Sequence, residues 1–364
     1  MIWISFKKKV NIKKNRFRRK RFWAGILLAQ IILFFILSKI TFAVGLFEKS
    51  FELKKRVHQH LFAGVPFSVG DLFYVIIFIF LCFLLVKTIS RASRQRALVW
   101  LFVAVNAFYF IYQILWGMMY FQKPIREKLP TGEITAEQTK ELALIYLDRC
   151  RKSRNLVHEN RNGVFEIRNF REIETEILER QKHLPKMFGS KEPTGINSFK
   201  PSLFRGIMSY TGIFGYYNPF SAEAQINVEL PSIFLPFTLA HESSHQLGYA
   251  REQEANFMGY LIGKESRNSD LKYSTEYFVL KSLLNSLAEK NPEFVKWVLN
   301  EYSPGMKRDR LAANAFVKQH EGILDSFFGI TNDLFLKSNR QEGSVTYSYF
   351  VNLLIRYEYS NNLE

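Results

Sequence analysis

Cysteine is almost absent from this sequence, which has two in 364 residues, Cys82 and Cys150. Cys82 falls inside a long apolar run, whereas Cys150 falls in a predicted helix of the more polar remainder. The two thiols should therefore lie in different compartments, and we predict that they form no disulfide. The part of the chain that carries Cys150 must then be stable without one.

Acidic residues are absent from the first 21 residues, which contain ten basic ones. Such a tail can bind nucleic acid, but an excess of Lys and Arg is also typical of the cytoplasmic flanks of membrane proteins. The loop 87–96 adds four basic residues and no acid, whereas segments 48–56 and 123–128 together have seven. This asymmetry predicts a cytoplasmic N-terminus and an extracytoplasmic position for everything after residue 122. An inverted anchor with a cytoplasmic domain is the alternative.

Long apolar runs occur at 22–47, 69–89 and 97–121, and each is long enough to cross a bilayer, which requires about 20 mostly apolar residues. Buried core helices are the alternative interpretation. No small-x-small cleavage site follows the first run, so we interpret it as an uncleaved signal anchor. The predicted organisation is a basic tail (1–21), a three-helix transmembrane anchor (22–121) and a domain (122–364).

The remainder of the chain is long enough for one core and its pattern is mainly helical. Thr135 and Gln138 form a capping-box pattern at the start of one predicted helix. Residues 205–231 instead favour two or three short strands, with turns at Gly212, Gly215 and Asn218-Pro219. We therefore expect an α+β fold, mostly α, with three N-terminal transmembrane helices and a small sheet. Further helices are predicted over 304–337 and 345–359.

The peptide HESSHQLGYAREQEAN, residues 241–256, carries the clearest chemical signal. His241 and His245 are four residues apart, so on a helix they lie one turn apart on one face and can bind one Zn²⁺ ion. Glu242 is poorly placed as a third ligand but well placed to act on a water, which is the HExxH arrangement. Pro236 suits the first turn of a buried helix here, and Gly248 predicts its end.

A catalytic zinc site usually has three protein ligands and one open position. The helix expected after Gly248 offers Glu252 and Glu254, which are about 200° apart around a helix and cannot both face one metal. We favour Glu252, because Asn256 lies one turn further along the same face and could support a ligand carboxylate. Glu254 is the alternative ligand.

HExxH fixes three positions only, so a polar helix without a metal is the alternative interpretation. A serine nucleophile at Ser243 or Ser244 would need its own base and a strained turn, and the sequence has no signal for either. The hydroxyl that stabilises a tetrahedral intermediate could come from Tyr210, Tyr216, Tyr217 or Tyr273. We interpret the other histidines as surface or core residues: His58, His60, His158, His183 and His320.

The stretches GIFGYYNPFSAEAQIN and LPFTLAHESSHQLGYAREQEANFMGYL, within residues 206–274, resemble bacterial membrane proteins grouped as domain of unknown function 3810 (DUF3810). The resemblance implies three N-terminal spans and a zincin-like domain of the HExxH metallopeptidase assembly. Its Glu-x-x-Ala-Asn element is similar to that of glutamate-ligand zincins, which implies Glu252 as a metal ligand and Asn256 as its outer support. An alanine is usual in the family where this chain has Ser244.

The expected function is a zinc-dependent metallopeptidase of the bacterial inner membrane, with an extracytoplasmic C-terminal domain. His241, His245 and Glu252 would hold Zn²⁺, and Glu242 would be the general base. The expected partners are a peptide or protein substrate and the lipid bilayer, with no nucleic acid; the sequence gives no oligomeric state. The alternatives are a non-catalytic zinc-binding membrane sensor or scaffold, and an amidase acting on cell-wall peptides.

Overall fold

The computed structural model describes residues 20–189, 191–322 and 346–361. Most of the predicted basic tail, and the C-terminal part of the helix predicted over 304–337, lie outside these ranges. Helices dominate the described residues, which confirms a mostly α fold with a small sheet. In chain order the α-helices are α1 (Lys20–Leu37), α2 (Thr41–Phe62), α3 (Val69–Ile89), α4 (Arg94–Leu115), α5 (Ala136–Arg154), α6 (Phe170–Gln181), α7 (Arg205–Tyr210), α8 (Leu235–Gln246), α9 (Glu252–Lys264), α10 (Ser269–Leu287), α11 (Pro292–Asn300), α12 (Pro304–His320) and α13 (Thr346–Asn361).

Three of these helices, α1, α3 and α4, are long and apolar enough to cross a membrane, as predicted. The side-chain amide of Asn106 in α4 donates to the carbonyl of Trp23, near the start of α1, at 3.1 Å. Phe34, near the end of α1, packs with Met118 just beyond α4. Helices α1 and α4 therefore run in the same direction, and α3, which a short loop at 90–93 joins to α4, runs opposite to both.

The apolar run predicted as one span over 22–47 belongs to two helices. Helix α1 ends at Leu37, and Ile40 has extended backbone angles (φ −103°, ψ 103°) before α2 begins. The predicted end of the span is wrong because the residues after Ile40 are apolar yet start an amphipathic helix whose charged residues come later. The third span also ends early, at Leu115, and Gly117–Phe121 forms a 3₁₀ helix.

The domain is built around α10, which packs against α5, α8, α9 and α13. Its core contains large apolar side chains such as Phe257, and burying each one stabilises the fold by about 1.5–3 kcal/mol. The predicted capping box is present. The backbone amide of Gln138 donates to Oγ1 of Thr135 at 3.2 Å, and the backbone amide of Thr135 donates to Oε1 of Gln138 at 3.0 Å. Cys82 in α3 and the buried Cys150 in α5 are both free thiols.

A three-stranded sheet lies beside α8 and consists of β1 (Phe199–Pro201), β2 (Gly215–Asn218) and β3 (Glu223–Ile226). Strand β3 is central, parallel to β1 and antiparallel to β2, so β2 is an edge strand. The strands predicted within 205–231 are found in part, because residues 205–210 form α7 and β1 comes before this region. Gly215 lies in β2 rather than in a turn, whereas Gly212 has φ +68° and does form one.

The N-terminus of α3 is inserted into the domain. The buried Glu223 carboxylate of β3 accepts a hydrogen bond from the backbone amide of Gly70 at 2.8 Å. The carboxylate of Asp71 accepts from the backbone amide of Leu203 at 2.7 Å and from the Tyr216 hydroxyl. A carboxylate at a helix N-terminus satisfies free amide groups and interacts favourably with the helix dipole. The anchor and the domain thus share a buried polar interface.

Candidate metal centre

Helix α8 carries the two histidines of the motif and is buried on nearly every side. Pro236 lies in its first turn, where a missing backbone N–H costs nothing. After the helix ends, Gly248 adopts φ +97°, a conformation that favours glycine, and the chain turns toward α9. A Cβ atom at Gly248 would also lie 2.8 Å from the Phe51 ring of α2. The structure therefore contains the predicted helix, glycine stop and second helix.

His241, His245 and Glu252 bring their side-chain ends together between α8 and the first turn of α9. Nε2 of His241 lies 3.2 Å from Oε2 of Glu252, and Nε2 of His245 lies 3.6 Å from Oε1. The two imidazole rings are perpendicular, with centroids 4.8 Å apart. One candidate ligand atom of each residue lies within 4.8 Å of the other two. Two imidazole nitrogens and one carboxylate oxygen so close together form a donor set that suits Zn²⁺.

Each imidazole uses its other nitrogen for a hydrogen bond to an oxygen. Nδ1 of His241 lies 2.8 Å from Oδ1 of Asn256, and Nδ1 of His245 lies 2.7 Å from the backbone oxygen of Tyr249. Because a carbonyl oxygen only accepts, each Nδ1 carries a proton, and each Nε2 is left to face Glu252. Asn256 therefore supports a histidine, where the sequence predicted support of the Glu252 carboxylate.

The Glu252 carboxylate determines how the cluster of His241, His245 and Glu252 holds protons. Burial alone would lower the pKa of His245, but the Glu252 carboxylate, with smaller contributions from Glu242 and the backbone of Tyr249, raises this pKa to about 9. Burial would likewise raise the pKa of Glu252, but His245 and His241 lower it well below its ordinary value. A cation that binds here must displace the proton between these groups, so binding should release it.

Glu242 extends from α8 toward β2. It is buried, and its Oε2 atom has no hydrogen-bond partner among the described residues. Burial raises the pKa of this carboxyl group, an effect that the neighbouring His241 and His245 oppose. A Cβ atom at Gly215 would lie 2.8 Å from Cγ of Glu242, so the glycine leaves the room that this side chain occupies. A buried carboxylate with a free oxygen beside the cluster is suited to proton transfer.

Glu254, the alternative third ligand, faces away from the two histidines. Its Oε1 atom accepts hydrogen bonds from the backbone amide of Ile125 at 3.0 Å and from Nη1 of Arg251 at 2.8 Å. The carboxylate is thereby fixed to the segment that leads out of the anchor. Its position follows from the two-residue spacing, because Glu252 and Glu254 lie on different faces of α9.

The exit of α4 forms one wall of the candidate site. The Trp116 ring packs edge-on against the His245 ring, with centroids 5.9 Å apart. The Trp116 indole N–H donates to the Tyr120 hydroxyl at 3.4 Å. Burial, followed by Tyr112 and the Glu252 carboxylate, raises the pKa of Tyr120, so this hydroxyl stays protonated. Sequence reasoning missed this wall, although the aromatic run at the end of the third span could have drawn attention to it.

The tyrosines considered from the sequence are placed differently. The Tyr216 hydroxyl donates to Asp71, and the Tyr273 hydroxyl donates to the buried Asp309 at 2.8 Å. Tyr210 is exposed, and Tyr217 packs against the indole ring of Trp116. Among the described residues, no other histidine joins the cluster of metal-type ligands.

Comparison with known proteins identifies one family. A family model described as "Protein of unknown function (DUF3810)" matches residues 46–355, which include nearly all of α2, two of the three spans and the whole candidate site. No curated protein and no solved structure matches the chain.

Proposed function

Since the chain belongs to the DUF3810 family of proteins of unknown function, we propose its activity from the geometry of the site: it is a membrane-anchored, zinc-dependent peptidase. The observation that carries this proposal is the convergence of His241, His245 and Glu252 with a buried carboxylate, Glu242, beside them. Ligands alone would suit a structural ion, whereas the added carboxylate with a free oxygen suits hydrolysis.

His241, His245 and Glu252 would hold the ion through two Nε2 atoms and a carboxylate oxygen. The fit rests on the hydrogen bonds at Nδ1, which fix both ring orientations and leave Nε2 directed at the shared space. When bound, Zn²⁺ supplies a Lewis acid that polarises a carbonyl group and lowers the pKa of a water toward about 7.

Glu242 would orient the attacking water through its free Oε2 atom and accept a proton from it as the oxygen bonds to the carbonyl carbon. The same carboxyl group would then give this proton to the leaving nitrogen while the C–N bond breaks. The products are a carboxylate and an amine. Burial supports the second half of this cycle, because it raises the pKa of Glu242 and favours its protonated form.

The substrate would be a peptide in extended conformation. Strand β2 is an edge strand, and its first residue, Gly215, lies against the Glu242 side chain. A peptide that paired with β2 would align its backbone beside the general base and the metal ligands. This arrangement favours peptide bonds over compact small-molecule amides.

We infer that the domain lies outside the cytoplasm of a bacterium, at the inner membrane. The domain meets the spans at one level, formed by the end of α1, the start of α3 and the end of α4. The loop 87–96, with four basic residues, lies at the other ends of α3 and α4, and the start of α1, which the basic sequence 1–21 precedes, lies on that same side. Basic flanks are typical of the cytoplasmic side, which supports an extracytoplasmic position for the domain.

The test uses the full chain in nanodiscs with a mixed peptide library, read by mass spectrometry. Glu242→Gln should keep one zinc per chain and lose cleavage by at least about 10²-fold, since it removes the general base but no ligand. Glu265→Gln, which changes an exposed glutamate of the same region, should cleave like the unaltered chain. Zinc binding without any cleavage by the unaltered chain would contradict the peptidase proposal and favour a zinc-binding scaffold.

A further inference from the structure

Helix α2 lies across the end of the third span. Near its start, Val44 packs with Met118. Near its middle, Phe51 packs with Trp116, with ring centroids 5.8 Å apart, and Lys54 donates to the carbonyl of Ile114. Successive turns of α2 thus contact the same short segment at the exit of α4, so α2 stays at the level where this span ends.

The connections of α2 require the same position. Its N-terminus follows α1, which runs parallel to α4, and its C-terminus leads into α3, which runs antiparallel. The end of α1 and the start of α3 therefore lie at one face of the membrane. With 22 residues, α2 is about 33 Å long, and both of its ends lie at this face. It does not cross the bilayer.

One side of α2 is covered and the other is exposed and apolar. The covered side includes Phe51 and Lys55, whose amine donates to the backbone oxygen of Glu192 at 2.7 Å. The exposed apolar side chains lie within an arc of about 100° when successive residues are 100° apart. They are Phe42 (76% exposed), Leu46 (51%), Leu53 (65%), Val57 (47%) and Leu61 (62%).

Basic residues accompany this apolar arc. Lys49 and Arg56 are exposed and lie seven residues apart, along one edge of the arc, and His60 is exposed beside them. The acidic residues of α2, Glu48 and Glu52, are partly covered. The uncovered face therefore combines large apolar side chains with positive charge and has no exposed carboxylate.

We propose that this face of α2 lies in the membrane interface on the domain side and binds anionic phospholipids. Its apolar arc enters the boundary between headgroups and acyl chains, and Lys49 and Arg56 extend to the phosphates. The bilayer is the occupant because the face continues from the three spans at the level where they end. Positive charge without exposed carboxylates favours anionic over zwitterionic lipid.

The depth of α2 can be measured with nitroxide labels on single cysteines in the full chain, reconstituted in nanodiscs with phosphatidylglycerol. Cys82→Ala removes the less buried native thiol, and the chain without an added cysteine controls for labelling of Cys150. Labels at Leu53→Cys and Leu61→Cys should be more accessible to oxygen than to a water-soluble nickel chelate, as at a label in the span at Ile79→Cys. Leu311 in α12 has a similarly exposed side chain, and a label at Leu311→Cys should be more accessible to the nickel chelate than to oxygen.

The lipid preference has its own test. Native mass spectrometry should count more phosphatidylglycerol than phosphatidylcholine on the unaltered chain, and Lys49→Gln with Arg56→Gln should reduce that excess at least about threefold. The matched control, Lys290→Gln with Lys307→Gln, removes two exposed charges of the domain and should leave it unchanged. Labels on α2 that resemble Leu311→Cys, spin–spin broadening between two copies, or an unchanged lipid excess in the α2 variant would each overturn the proposal.

Discussion

The amide oxygen of Asn256 lies 2.8 Å from Nδ1 of His241, and this contact joins α9 to α8 at the metal-type cluster. The asparagine fixes both the tautomer and the rotation of the imidazole, so that Nε2 faces Glu252. The same helix α9 thus supplies a candidate ligand from its first residue and an orienting group one turn later. Its placement against α8 determines the geometry of the whole site.

Replacing Asn256 should weaken metal binding without removing a ligand. We expect Asn256→Ala to lower zinc affinity about 10–100-fold, because His241 loses the partner that fixes Nδ1–H. Asn256→Asp keeps an accepting oxygen and should retain most of the affinity. Competition with a fluorescent chelator on the full chain measures both, and equal affinities for all three proteins would show that the hydrogen bond does not orient the ligand.

Substitution of a proposed ligand should remove bound zinc, whereas substitution of the neighbouring Glu254 should not. His245→Ala and Glu252→Ala should each lose most of the bound zinc, since two ligands hold the ion poorly. Glu254→Ala should keep one zinc per chain, although loss of its bond to the Ile125 amide should cost about 1–3 kcal/mol of stability. Elemental analysis of the purified full chains distinguishes these outcomes, and loss of zinc from Glu254→Ala would transfer the third ligand to that residue.

A methyl group at Gly215 should damage catalysis more than metal binding. A Cβ atom there would lie 2.8 Å from Cγ and 2.9 Å from Oε1 of Glu242, so this side chain, the proposed general base, must move. A displacement of about 1 Å can reduce the rate about 10²-fold. We expect Gly215→Ala to keep its zinc and to lose kcat by about this factor. A fall in zinc content of the same size would instead indicate that the sheet collapses onto the ligands.

Removing the Asp71 carboxylate should destabilise the interface between anchor and domain. Asp71→Ala leaves the amide of Leu203 and the hydroxyls of Ser202 and Tyr216 without their acceptor, at a cost of about 1–3 kcal/mol. Glu137→Ala, in the first turn of α5, removes an exposed carboxylate and should change stability by less than about 0.5 kcal/mol. Thermal unfolding of the full chain in detergent compares the two, and equal melting temperatures would contradict the role of Asp71.

Much of the candidate site could be predicted from local spacing. Four residues separate His241 from His245, so any helix places them on one face, and Gly248 has the freedom to end that helix. The angle around one helix excludes a site that uses both Glu252 and Glu254, and the structure brings Glu252 to the histidines. The reason given for preferring Glu252, support of its carboxylate by Asn256, is not the contact that the structure contains. A site built from one or two neighbouring helices can be predicted from the sequence because the geometry of a helix is nearly fixed.

Contacts between distant segments could not be predicted in this way. The packing of Trp116 on His245, and the hydrogen bonds from α3 to Glu223, join parts of the chain that share no periodic pattern. The sequence did not predict α2 as a separate helix for a different reason. The first residues of α2 extend an apolar run, and hydropathy alone does not show where one helix ends and the next begins. Packing of the whole chain determines both features.

Trp116 immediately follows the last residue of α4, and its ring touches His245. The histidines are thus held at a set height, one aromatic ring away from the level where a span ends. The distance between the candidate site and the end of this span is therefore fixed. For the proposed peptidase activity, this means that a peptide bond close to the lipid surface would be within reach of the site. A bond in a segment far from the surface would reach the site only if that segment bent back toward the membrane.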